Sequence, residues 1–252
     1  MPINRRTPYG SFIRAMGVSF ALLLVLVATG LARAEPVRIV GFGDSLMAGY
    51  ELGPGEGFVP VLGEKLAELG YEVEMTGAGV SGDTSTGALS RLEWSVPDEA
   101  DIVIVEFGGN DALRGISPEI TASNLDAIVD ALRVRGQAVV LAGMLAPPNM
   151  GTEYEAAFNA IYPDLAERRN VPLYPFFLDG VITEPSLMLG DGIHPTAEGV
   201  EVMATRFLPT ILPVIDRVLA ERGGEAVPGA KATPPSDPAV PAEPAEGALD
   251  PA

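Results

Sequence analysis

The chain has 252 residues, 47% of them hydrophobic, with 16 basic side chains against 34 acidic ones and a net charge of −18. That length suits one ordinary domain with extensions, and the acidic balance would repel phosphates, so neither DNA nor RNA is expected as a partner. The absence of cysteine and the single histidine, His194, exclude disulfides, thiolate zinc sites, iron–sulfur clusters, a cysteine nucleophile and any histidine-rich metal centre.

Residues 1–34 read as an export signal. Arg5, Arg6 and Arg14 form a basic start, residues 17–29 an apolar stretch, and Ala32-Arg33-Ala34 a small-residue cleavage pattern. An uncleaved membrane anchor is the alternative, but the apolar run is short of the roughly 20 residues that a span needs. Arg5-Arg6 loosely fits a twin-arginine signal, while the residues around it favour the general secretory route. No cysteine stands at the cleavage site, which excludes a lipoprotein anchor. The mature protein is expected to start at Glu35, to reside in the periplasm or outside the cell, and to keep no stable membrane anchor.

Beyond the signal, residues 37–42 form an apolar run typical of a buried strand. Residues 58–69 carry apolar side chains at helical spacing and end at Gly70, and 71–76 alternate like a strand. Residues 84–94 fit a helix, and 101–107 give the clearest strand, β-branched and almost continuous. Residues 118–133 predict a helix with Pro118 in its first turn and Leu125, Ile128, Val129 and Leu132 on one face. A strand over 137–142 follows, then a helix over 153–169 that Pro163 is expected to kink or divide. A short strand over 171–174 precedes a last helix over 196–219, with breaks expected near Pro209 and Pro213. Residues 223–252 are rich in Pro, Ala, Gly and acid, a composition with little to bury, and predict a disordered tail. One domain over 35–222 remains, without internal repeats.

The alternation of strands and helices predicts a parallel sheet covered by helices on both faces. Right-handed crossovers bring all strand C-termini to one edge, which is where such sheets bind ligands. Four Gly-rich segments fall at that edge or near it: Gly43-Asp44-Ser45-Leu46, residues 77–83, Gly108-Gly109-Asn110-Asp111, and Asp191-Gly192-Ile193-His194-Pro195. A serine hydroxyl needs a neighbouring base to act as nucleophile, and His194 is the one imidazole available to Ser45. Asp191, three residues earlier, is placed to fix the imidazole tautomer. The backbone N–H groups of Ser45 and Gly79 and the side-chain amide of Asn110 are suitable donors to the oxyanion that acyl transfer creates.

These blocks resemble the SGNH (GDSL) hydrolase family, whose four letters correspond to Ser45, Gly79, Asn110 and His194. The resemblance is closest to its bacterial thioesterase I, lysophospholipase and arylesterase group. It is carried by residues 79–85, 105–115, 157–163 and 171–177 and runs over about 37–212. It implies a three-layer α/β/α sandwich with a five-stranded, flavodoxin-like parallel sheet. It implies hydrolysis of acyl, aryl and lysophospholipid esters and of thioesters through an acyl-enzyme, without a cofactor and with no metal ligands. By the same resemblance Leu113, Pro148, Asn149 and Ile193 line the acyl groove within or beside the segment 146–154, and the protein is a monomer acting on a small acyl ester or lipid.

Ser81, Asp83, Thr84, Ser85 and Asp111 read as loop-shaping or capping groups, Arg114 as a surface ion pair and Trp94 as core or rim. Gly43-Asp44-Ser45-Leu46-Met47 is not the G-x-S-x-G elbow of α/β-hydrolases. Three other functions stay open beside the exported esterase: an acyl-CoA thioesterase, a carbohydrate acetyl-esterase, and a binding protein with a dead site.

Overall fold

The computed structural model describes residues 35–223. The export signal expected over 1–34 and, Gly223 apart, the Pro-rich tail lie outside the described residues.

Five parallel strands make one sheet: β1 (Val37–Gly43), β2 (Val73–Gly79), β3 (Ile102–Glu106), β4 (Ala138–Ala142) and β5 (Leu173–Tyr174). Their order is β2-β1-β3-β4-β5. The chain steps from β1 to β2 on one side and then returns to place β3 on the other. That reversal opens a crevice at the C-terminal ends of β1 and β3, the usual ligand position in such a sheet.

Eight α-helices accompany the strands among the described residues: α1 (Ser45–Ala48), α2 (Phe58–Glu68), α3 (Ser85–Ser95), α4 (Gly109–Leu113), α5 (Pro118–Val134), α6 (Thr152–Asn159), α7 (Ile161–Arg169) and α8 (Ala197–Glu221). One helical layer is built from α2 packed on α8, the other from α3, α5 and α7 in succession. The architecture is a three-layer α/β/α sandwich. β3 is buried along its whole length, as its β-branched sequence predicts. The apolar face of α5 buries Leu125, Ile128, Val129 and Leu132 as its spacing predicts.

Two elements, β2 and the last helix, differ from their sequence expectation, and the helix over 153–169 divides as expected, though ahead of its proline. β2 runs on through Gly77, Ala78 and Gly79, because the close approach of the chain to α1 favours small residues there: a Cβ on Gly79 would lie 2.3 Å from the Ala48 nitrogen. The helix expected over 153–169 divides at Ala160, so that Pro163 falls in the first turn of α7, where its missing N–H has no intrahelical acceptor to lose. The last helix runs unbroken through Pro209 and Pro213. Each interior proline costs about 3 kcal/mol. The buried face of α8 includes Phe207, Ile211, Val214, Ile215 and Val218, each worth about 1.5–3 kcal/mol, and this offsets the loss.

Among the described residues no helix is long and apolar enough to cross a membrane. Phe207 is the hub of an aromatic cluster, with ring centroids 5.4 Å from Phe58, 5.3 Å from Tyr174 and 6.3 Å from Phe177. Phe207→Ala is expected to lower the unfolding free energy by about 3–5 kcal/mol. Urea unfolding measures this, and a loss below 1 kcal/mol would mean that α8 does not depend on this contact.

Candidate active site

Ser45 begins α1 directly after β1. Asp44 caps this short helix, its Oδ1 accepting the Leu46 N–H at 3.0 Å. The cap turns the chain sharply and aims the Ser45 hydroxyl, on a residue only 8% exposed, toward the loop before α8. In that loop His194 Nε2 lies 2.8 Å from Ser45 Oγ. On the other side of the ring, Nδ1 lies 2.7 Å from Asp191 Oδ2. An ionised carboxylate can only accept, so Nδ1 carries the proton and Nε2 is left to accept from the serine hydroxyl.

The loop is fixed by backbone as much as by side chains. Met188 and Pro195 form an isolated antiparallel bridge. The Leu189 N–H donates to His194 O at 2.7 Å, and the Thr196 N–H to Leu187 O at 2.9 Å. Asp191 Oδ1 accepts the N–H groups of Ile193 at 2.9 Å and His194 at 3.1 Å. The hydrogen bond to His194, then those two backbone donors, lower the Asp191 pKa to about 2. Tyr50 covers the imidazole, with its ring centroid 4.4 Å from that of His194.

Asn110 reaches the site from α4. Its Nδ2 donates to Asp44 Oδ2 at 2.9 Å, which occupies one amide hydrogen and fixes the direction of the other. The loop after β2 comes alongside, and the Val80 N–H donates to Gly43 O at 3.1 Å.

A cleft of about 690 Å³ opens beside Ser45 and His194. Its buried lining includes Met144, Ala146 and Leu178, and its exposed rim Tyr50, Leu113, Leu145, Ile182 and Ile193. Of the groove residues expected from sequence, Leu113, Pro148 and Ile193 line this cleft and Asn149 does not. Gly79 borders a second, shallower cavity on the far side of α1, whereas Ser81 and Gly82 of the same loop face the cleft. Arg114 donates to the Gly82 carbonyl at 2.7 Å rather than forming the ion pair its surface position suggested.

Sequence reasoning overlooked Arg91. This buried guanidinium pairs with Asp83 at 2.7 Å and donates to the carbonyls of Ala78 and Gly43, both at 2.9 Å. It stacks over Phe42, 4.5 Å from the ring centroid. One side chain thus ties the ends of β1 and β2 together. Its signal in the sequence is a charge set beside Ala88 and Leu92 on the buried stripe of α3. Glu106 and Tyr50 were overlooked as well.

Comparison with known proteins agrees with this architecture. Residues 42–202 match the model of the GDSL-like lipase/acylhydrolase family. Esterase TesA of Pseudomonas aeruginosa is 37% identical over 204 residues, covering 81% of this chain and 100% of that protein. Thioesterase 1/protease 1/lysophospholipase L1 of Escherichia coli K12 is 35% identical over 196 residues, 77% of this chain and 92% of the other. The crystal structure of AlinE4, an SGNH-hydrolase family esterase, superposes with a TM-score of 0.61 at 41% identity over 73% of this chain and 98% of that one. Fold and relatives together define the class, a serine hydrolase that cleaves ester bonds. The chain belongs to the GDSL-like lipase/acylhydrolase family.

The low Asp191 pKa sets a pH window. A carboxylate whose pKa is depressed on folding contributes stability that is fully present above its unfolded value of about 3.9 and is lost as pH falls through the folded value. The stability gap between the wild type and Asp191→Asn is therefore expected to be constant above about pH 4 and to shrink between about pH 4 and 2. Denaturant unfolding at a series of pH values checks this. A gap that vanished already near pH 6 would contradict the assignment.

Proposed function

We propose that the protein is an exported carboxylic-ester hydrolase of broad specificity in which Ser45 is the nucleophile, His194 the general base and acid, and Asp191 the group that orients the imidazole. The observation that carries this reading is the unbroken line Ser45–His194–Asp191, with contacts of 2.8 and 2.7 Å, at the mouth of an apolar cleft. His194 takes the Ser45 proton as the hydroxyl oxygen attacks the acyl carbonyl. The tetrahedral oxyanion is received by the Ser45 backbone N–H and the second amide hydrogen of Asn110, with the loop after β2 contributing from its cleft-facing residue Gly82 rather than from Gly79. His194 then protonates the departing alcohol or thiol. Water, deprotonated by His194, releases the acid and restores the serine.

The apolar cleft supports acyl chains rather than sugars as the bound part. Leu113, Pro148 and Ile193 would contact the acyl chain, whereas Asn149, outside the lining, would not. Aryl esters and lysophospholipids both present such an acyl group. A thioester fits the same chemistry, but the net charge of −18 opposes a polyanionic leaving group such as coenzyme A. The basic start, apolar run and Ala32-Arg33-Ala34 support export to the periplasm or medium with release at Glu35, and the family resemblance supports a monomer.

Hydrolysis of p-nitrophenyl esters from acetate to palmitate, measured for the wild type and Ser45→Ala, tests the reading. The variant is expected to lose at least about a thousandfold in kcat, and medium chains are expected to be preferred over acetate. Full activity in Ser45→Ala would remove Ser45 from the mechanism.

A further inference from the structure

Glu106 ends β3 beside the nucleophile turn and is fully buried. Its Oε2 accepts the Asp44 backbone N–H at 3.2 Å, which brings its carboxyl close enough to that of Asp44 for each to influence the other's charge. Its Oε1 meets no hydrogen-bond partner. A Cβ on Gly43 would lie 2.6 Å from Oε2, so the carboxyl packs directly on the backbone that leads into Ser45.

The surrounding charges are unbalanced. Among the described residues the carboxyls of Asp44, Glu106 and Asp111 are buried, and the one buried guanidinium, Arg91, is paired with Asp83 at 2.7 Å. Asp111, on α4, accepts Ser85 N–H at 2.9 Å, Ser85 Oγ–H at 2.5 Å and Thr121 Oγ1–H at 3.1 Å. Asp44 accepts from Leu46 and Asn110. Tyr162, on α7, donates its hydroxyl to Phe107 O at 2.7 Å. Glu106 has the weakest donor set of the four carboxyls and lies against another carboxylate. A second buried negative charge at that position has nothing to stabilise it.

We infer that Glu106 is a neutral carboxylic acid acting as a positioning residue. It gives its proton to the hydrogen bond with Asp44, and Asp44 in turn holds both the start of α1 and the Asn110 amide. The inference rests on the roles proposed above for Ser45 and Asn110. The Asp44–Glu106 pair then carries one negative charge instead of two beside the point where the oxyanion develops, and the Asn110 amide is held at a fixed angle. Burial, then the charge of Asp44, push the Glu106 pKa well above the usual carboxylate range. Burial raises Asp44 too, but its hydrogen bonds oppose that rise, so the proton stays on Glu106.

Two variants and one spectroscopic signal test this. Glu106→Gln keeps a donor toward Asp44 and an acceptor for its N–H, and is expected to retain most of the wild-type kcat. Glu106→Leu removes both and is expected to lose about a hundredfold in kcat with KM little changed. The infrared difference between wild type and Glu106→Gln at neutral pH is expected to contain the C=O stretch of a protonated carboxyl. The acid limb of kcat/KM is expected to coincide in wild type and Glu106→Gln, because no charge is removed.

An absent carboxyl band, an acid limb shifted to lower pH in Glu106→Gln, or wild-type kcat in Glu106→Leu would each overturn the inference. If circular dichroism shows Glu106→Leu unfolded, the infrared band and the acid limb decide. Failure of the underlying catalytic reading is recognised separately, by activity in Ser45→Ala, while the infrared band reports on Glu106 alone.

Discussion

The site depends on one register. Gly43, the last residue of β1, lies opposite Gly79 in β2 and opposite Glu106 in β3. Because both pairings are parallel, the three chains leave the sheet at the same level and in the same direction. The Asp44–Ser45 turn is therefore flanked by the loop after β2 and by α4. A slip of one residue would turn every side chain of β1 to the opposite face, and would carry Ser45 away from Asn110. Arg91 reinforces the register by binding the carbonyls of Gly43 and Ala78 together.

The second half of the site arrives from far along the chain. His194 meets a serine 149 residues earlier in sequence. It is delivered by the loop between the Pro185–Leu187 turn and α8, and Thr196 caps α8 by accepting the Gly199 N–H at 3.2 Å. The placement of His194 is thus an outcome of how α8 docks on α2 and on the sheet. Core packing and the geometry of the site are coupled through this helix.

The fold was legible wherever burial imposes a simple pattern. The continuous apolar run of β3 and the spaced leucines and isoleucines of α5 follow from one-face or two-face burial alone. The four Gly-rich segments were legible because each follows an element or comes near the chain end in the order the chemistry requires. The structure places Ser45, Asn110 and His194 together in one cleft, with Asp191 on the other side of the imidazole. What the sequence could not disclose are contacts between distant segments. The uses of Arg91 and Glu106 depend on which carbonyls and carboxyls the tertiary fold brings to them. The glycines at the end of β2 resembled a loop because small residues usually mark turns, whereas here they admit α1 against the strand. The prolines of α8 resembled breaks because local propensity cannot register the apolar face that overrides them.

The central claim is that acyl transfer passes through Ser45. Rapid quenching of the enzyme during turnover of a slow-deacylating ester, followed by mass spectrometry of its peptides, addresses that claim directly. The account predicts a transient mass increase equal to one acyl group, located on the peptide that contains Gly43-Asp44-Ser45-Leu46 and assigned by fragmentation to Ser45. An acyl group on any other residue, or single-turnover kinetics in which no adduct forms while product appears, would contradict it.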